Sequence, residues 1–536
     1  MNFALQPAVA QQPGARWRVL DLLFMLMLFA LTLAALLQVL RFGPDGDNVL
    51  CVSLVWASSV LLFGYIWRSG SLRTHPMSTL ALIGLCITSQ AASLLLQTLD
   101  MTSFTRWLRA PVLTFSLLAM LHVVAVLTHW CYRHLTSLQT FTEGVARHLW
   151  SPLGILRIPP VEVTWLLSGI GLASFVLGGG ATGDVGGKFI AAAGFLMWLP
   201  FMIPFYQHLQ DGHYCDLRKH MPVIVAYALL VAGVAIVRNY RQVMFIGPMQ
   251  GALVYLLYLA RTKRPATARD VWQLSAGAIL VAAGVWLAAD LVTAMSVVRD
   301  RRTTATPMEM LRDTAEAYGN KVALEQERTK RDLDAIVSAY DEVYLSNPVV
   351  SRFSETKFHD NMFYLSQGMT DAEVADLGES VWRHSLTVLP QTVLDAFDIP
   401  IDKNMEMYSL GDMHLHLLTG ADLGSFVTGS MWADLYALTW PFMPFVSALL
   451  MLLTFIVLDS LTRLDAGHFV SPAMLCTTWP IFLYGMGGES LAFKVSLLAR
   501  DVPQRALIYA LMLALVTQAL KLLGLGRGSW SGAQQA

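Results

Sequence analysis

The sequence predicts an all-α polytopic membrane protein with about 12 transmembrane helices and one large, mainly helical loop outside the bilayer. Three observations carry this. Hydrophobic residues make up 55% of the chain, and the mean hydropathy of +0.52 lies far above that of soluble domains. Apolar runs recur at membrane-spanning length, roughly 20 residues for a 30 Å hydrocarbon core. Charged residues are only 14% of the chain, and they collect between those runs, above all in one late segment.

In chain order, apolar runs begin near Val19, Val49, Ser78, Ala110, Glu162, Gly186, Met221, Val243 and Val271, and, after a long gap, near Met431, Ala473 and Pro503. The chain thus divides into an N-terminal bundle (1–298), a large loop (299–430) and a C-terminal set of helices (431–536). The stretch "VLGGGATGDVGGKF" reads as a short glycine-rich hairpin. The first run follows "ARWRVLD" and lacks a small-residue cleavage site, which makes it an anchor rather than a removed signal peptide.

Cations set the orientation. With the N-terminus in the cytoplasm, Arg16 and Arg18, Arg68 and Arg73, Arg133, Arg147 and Arg157, Arg218 and Lys219, and the run "RTKRPATARD" all fall on the cytoplasmic side. The large loop is then extracytoplasmic, and the C-terminus cytoplasmic. Loops of that length are functional more often than connecting. Pro307 suits a first helical turn. "LDAIVSAYDEVYL" repeats apolar residues at helical spacing. "TDAEVADLGESVWRHSLTVLP" opens with Thr370 three residues before Glu373, a capping box, and closes before Pro390.

Several function classes fall away. Five scattered cysteines, none in the large loop, give no disulfide framework, and a net charge of −1 gives no footprint for a nucleic acid. "GDVGGK" lacks the first glycine and the Ser/Thr of a phosphate-binding loop. "DGD" at 45–47 is a turn of a few residues, too short for the long first loop of the polyprenyl-sugar transferases that carry an acidic motif there. Asp412, His414 and His416 in "GDMHLHLLTG" would share a face only in a strand and would diverge on a helix, and no third histidine or cysteine completes a metal set.

Arg238 and Arg241, in "VRNYRQV", occupy a very short turn on the side where cations are disfavoured. Two readings stand: contact with lipid headgroups or an acidic residue such as Asp290 or Asp434, or a site for an anionic group such as a diphosphate, which the planar guanidinium holds bidentately. Arg352 adds a third candidate in the loop.

The order "VVSRFSETKFHD", "YSLGD" and "GADLGSFVTGSMWADLYAL", all in one late loop leading into a span, resembles the Wzy-type O-antigen and exopolysaccharide polymerases, relatives of the O-antigen ligases. The resemblance covers the architecture of the whole chain and, in residues, mainly 350–440; the "HN" element of the ligases is not found. It implies a bacterial cytoplasmic-membrane glycosyltransferase, free of metal and cofactor, that uses an undecaprenyl-diphosphate-linked oligosaccharide amid membrane lipids. It also implies a flippase and a chain-length regulator as partners. Such chemistry needs cations for the leaving diphosphate, for which Arg238, Arg241 and Arg352 are the candidates, and a base for the acceptor hydroxyl, for which His384, His359 and Asp360 are the candidates. Each base candidate has a structural reading beside the catalytic one: His384 shares an apolar helix face with Leu377, Val381 and Val388, while His359 and Asp360 fit a solvated face. Rival functions are a transporter or flippase of lipid-linked oligosaccharide, a transferase like the O-antigen ligases, and a structural partner of an envelope complex.

Overall fold

A computed structural model describes residues 18–177, 192–211, 217–262, 265–299, 301, 305–337, 340–351, 353–403, 406–463 and 469–524. Among them, nine helices are long and apolar enough to cross a membrane: Val19–Phe42, Gly46–Ser69, Pro76–Leu99, Pro111–His134, Leu217–Val237, Val243–Thr262, Ala268–Val297, Met443–Ser460 and Leu491–Leu522. The described chain is otherwise helical apart from turns, isolated bridges and a two-residue strand pair, Thr462–Arg463 with Phe469–Val470. The protein is an all-α, multi-pass membrane protein.

The remaining apolar runs depart from continuous spans, and proline explains two of them. The run near Glu162 forms Val161–Leu177, 17 residues long. The glycine-rich hairpin and the start of the next run lie outside the described residues. The run's described part is a 3-10 helix, Gly194–Phe205, with Pro200 and Pro204 inside and every residue buried. The run near Ala473 breaks into Pro472–Thr477 and Trp479–Leu483, with Pro480 between them in sequence. A proline removes an amide donor and collides with the preceding turn, so an apolar stretch need not become one helix. Such backbone survives at membrane depth only where protein surrounds it. The two broken segments meet that condition by packing on each other, with the Trp198 and Trp479 rings 5.9 Å apart.

Two starts shift. Residues 431–439 form a short helix, Met431–Thr439, and the span proper begins at Met443. The last span begins at Leu491, well before Pro503.

Residues 305–430 carry the helices Pro307–Gly319, Lys321–Val337, Thr356–Gln367, Asp371–Leu386 and Leu410–Thr419. The first and fourth of these open with the capping boxes Thr306–Glu309 and Thr370–Glu373, and Pro307 stands in the first turn. The helix expected through 333–345 instead ends at Val337. The side chain of Asp341 accepts the Val343 amide (3.1 Å) and pairs with Lys357 (3.2 Å), and these bonds hold 341–347 out of a helix.

This segment is docked on one end of the bundle. Asp290, near the end of the Ala268–Val297 span, binds Lys321 (2.8 Å) and Arg328 (2.5 Å). Tyr344 donates to the Phe104 carbonyl (3.0 Å), and its own carbonyl accepts from Gln97 (2.6 Å). Met362, Phe363 and Leu365 lie in the same hydrophobic core as the spans. At the opposite end, Asp459 accepts the Ser78 amide (3.0 Å) and hydroxyl (2.6 Å), and that hydroxyl also meets His129 (3.0 Å).

Candidate functional site

The Thr356–Gln367 helix is buried on almost all sides, so its polar residues must find partners. Asp360 does so across the chain. It accepts the amides of Arg109 (2.6 Å) and Ala110 (2.9 Å) and the hydroxyl of Thr114 (3.0 Å). It thereby supplies a carboxylate to the exposed amides at the start of the Pro111–His134 helix, where the helix dipole favours negative charge. Burial raises its pKa, against those hydrogen bonds and the nearby Lys357. Lys357 is held by Asp341 and by the Trp107 carbonyl, with Arg109 also 3.5 Å from Asp341; burial lowers the Lys357 pKa. Asp360 is therefore occupied as a clamp between segment and span.

His359 faces elsewhere, as neighbours on a helix do. Its Nδ1 lies 2.8 Å from the Ser430 hydroxyl, and burial pushes its pKa down to about 3, leaving the ring neutral. Ser430 in turn caps the Met431–Thr439 helix. In the same junction His414 Nε2 meets Asp434 Oδ1 at 2.8 Å, both side chains fully buried, and Asp434 Oδ2 accepts the Leu491 amide (2.7 Å).

The loop "YGMGGES" (484–490) closes this junction. Met431 donates its amide to the carbonyls of Gly487 (3.1 Å) and Glu489 (2.5 Å). A Cβ on Gly487 would collide with the Trp432 indole and one on Gly488 with the Tyr484 carbonyl, which explains both glycines. Glu489 nevertheless adopts φ 63°. Behind the loop, Lys494 is buried, its ammonium 3.5 Å from the Gly485 carbonyl, with Glu489 and Glu355 as the carboxylates acting on it. Glu355 is also buried and donates its amide to the Thr88 carbonyl (2.8 Å).

The turn between Leu217–Val237 and Val243–Thr262, which carries Arg238 and Arg241, reaches the same place. Tyr484 donates to Gln242 (2.6 Å), and the Phe245 and Phe353 rings meet at 5.8 Å. Arg238 also borders an apolar groove of about 460 Å³ between Val176 and Val237. Arg352 lies outside the described residues. The junction thus brings the Arg241 turn, the 353–360 stretch, Ser430 and the 484–494 stretch together.

His384 is not part of it. Its nitrogens face the carbonyls of Ser380 and Tyr408, both at 3.0 Å, its ring meets the Tyr408 ring edge to face and Glu406 lies 3.5 Å away. The Asp412, His414 and His416 set diverges on a helix. Asp412 receives the amides of Gly424, Phe426 and Val427, and His416 meets the Ala421 carbonyl. Asp290 binds Lys321 and Arg328, and Asp434 binds His414. Glu489, Lys494, Glu355 and Ser430 were missing from the sequence candidates. A lysine and a glutamate bracketing the start of an apolar run were the available signal.

No family model, curated protein or solved structure matches this chain.

Proposed function

We propose that the protein transfers glycosyl units from a lipid diphosphate at the membrane surface, extending a polysaccharide from undecaprenyl-diphosphate-linked repeat units. The single observation that supports this is the junction itself. A neutral buried imidazole, carboxylates, an ammonium and an arginine-bearing turn meet at the bundle end covered by residues 305–430. A leaving diphosphate needs preorganised cations, and an attacking hydroxyl needs a proton acceptor; both kinds of group stand at this place. In this reading the covered end faces outward from a bacterial cytoplasmic membrane, both chain ends are cytoplasmic, and a flippase delivers the substrate.

The test is polysaccharide length on a gel from cells carrying the intact protein, a deletion or Arg241→Ala, with membrane levels measured by immunoblot. Single-unit products at normal protein level support the transfer. Polymer of normal length from the deletion strain refutes it.

One observation favours a second reading, a transporter of lipid-linked oligosaccharide: two proline-interrupted apolar segments pack against each other inside the bundle, as discontinuous helices do around transport sites. A transporter reconstituted in vesicles moves the lipid-linked oligosaccharide across without lengthening it.

A further inference from the structure

We propose that Glu489, held by the glycine-rich loop 484–490 beside Lys494, is the catalytic residue that takes the proton from the attacking sugar hydroxyl. This rests on the glycosyl-transfer reading and assigns it a residue outside the sequence candidates.

The backbone is the first argument. At 487 and 488 packing admits only glycine, and Gly485 at φ 69° occupies the left-handed region without cost. At 489, φ is 63°, yet a carboxylate side chain stands there. A non-glycine residue kept in that region by the surrounding structure is characteristic of functional sites. Accessibility is the second. Lys494 and Glu355 are each 3% exposed, whereas Glu489 is only half-buried, so of the three it is the one a substrate can reach. The third is an unspent donor: the Trp432 indole N–H is fully buried, has no hydrogen-bond partner among the described residues, and lies against Gly487 of the same loop. The fourth is position. Tyr484 bonds Gln242, which sets the Arg241 turn beside the loop.

The step balances as follows. The acceptor O–H gives its proton to a Glu489 carboxylate oxygen while its oxygen bonds to the anomeric carbon. The bond from that carbon to the phosphate oxygen breaks, and the electron pair leaves with the lipid diphosphate, whose added charge meets the arginines of the turn. The proton then passes to water.

Glu489→Gly is the variant to test, because glycine adopts φ 63° freely, and that relief works against the loss of a carboxylate beside the buried Lys494. The full-length protein is purified in detergent and given undecaprenyl-diphosphate-linked repeat units extracted from its own cells. The expected result is a variant that still folds cooperatively, elongation lowered about a hundredfold or more, and partial recovery with added formate, a free carboxylate that fits the vacated space. Elongation at the parent rate overturns the assignment. So does a loss accompanied by lower stability with no formate recovery, which would make Glu489 a structural counterion of Lys494. Failure of the parent protein itself to elongate under these conditions refutes the glycosyl-transfer reading instead.

Discussion

Lowering the pH from 7.5 to 5 should cost the folded protein about 2 kcal/mol through His359 alone. The ring is 1% exposed, bonded through Nδ1 to Ser430, and pushed by burial down to about 3. In the unfolded chain it titrates near 6.5. Between those values the unfolded chain binds a proton that the folded one does not. The stabilising contribution is therefore complete above about pH 6.5 and falls as pH drops toward 3. At pH 5 the unfolded chain gains 1.5 decades of protonation, about 2 kcal/mol at 1.36 kcal/mol per decade. Asp360 acts in the opposite sense. Its raised pKa means that the folded state takes up a proton more readily than the unfolded one, so its share of stability increases as pH falls through the folded value. The two are separated by measuring the pH dependence of the unfolding temperature in mild detergent for the parent and for His359→Asn, which does not titrate. The parent should lose more stability than the variant on acidification. Parallel curves would show that His359 protonates in place, and would refute both its neutrality and its isolation from solvent.

Other outcomes follow from the same geometry. Asp360→Ala strands the part-buried amides of Arg109 and Ala110 and the buried Thr114 hydroxyl, and should lower stability by about 2–4 kcal/mol, read as a lower unfolding temperature and early proteolysis near residue 340. Gly487→Ala forces a methyl into the Trp432 indole and should cost about 1–3 kcal/mol, with reduced membrane levels on immunoblot. Arg241→Ala should shorten polymer at normal protein level on a polysaccharide gel, the cation of the turn being lost without disturbing a buried core. His384→Gln should leave polymer length unchanged, because the bonds to Ser380 and Tyr408 and the Glu406 contact keep this side chain within residues 380–408.

Much of the architecture was legible because the bilayer imposes a length and a polarity on each span, and capping boxes at Thr306 and Thr370 mark helix starts locally. The Arg238–Arg241 turn was legible for the same reason: cations on a short loop are conspicuous. What escaped was tertiary. Asp360 looks like a charge on a solvated face until it is set against Arg109 and Ala110, about 250 residues away in sequence. The apolar periodicity of 333–345 was overridden by the bonds of Asp341. Pro200, Pro204 and Pro480 were visible, but an apolar run by itself does not reveal that its interruptions will be sheltered by another interrupted run. The junction was half legible: its motif residues were singled out, whereas Glu489 and Lys494 gain meaning only from the fold around them.

The clasp between Ser78 and Asp459 spans 381 residues of chain, and the bond from Glu355 to Thr88 is also long-range. A ribosome adding 5–20 residues per second needs roughly 20–80 s to make 381 residues. Throughout that interval the third span sits in the membrane with polar groups awaiting partners that have not been synthesised. Maturation of this protein is therefore timed by its last quarter, and an arrest or truncation before Asp459 leaves an inserted but unfinished bundle open to quality-control proteases.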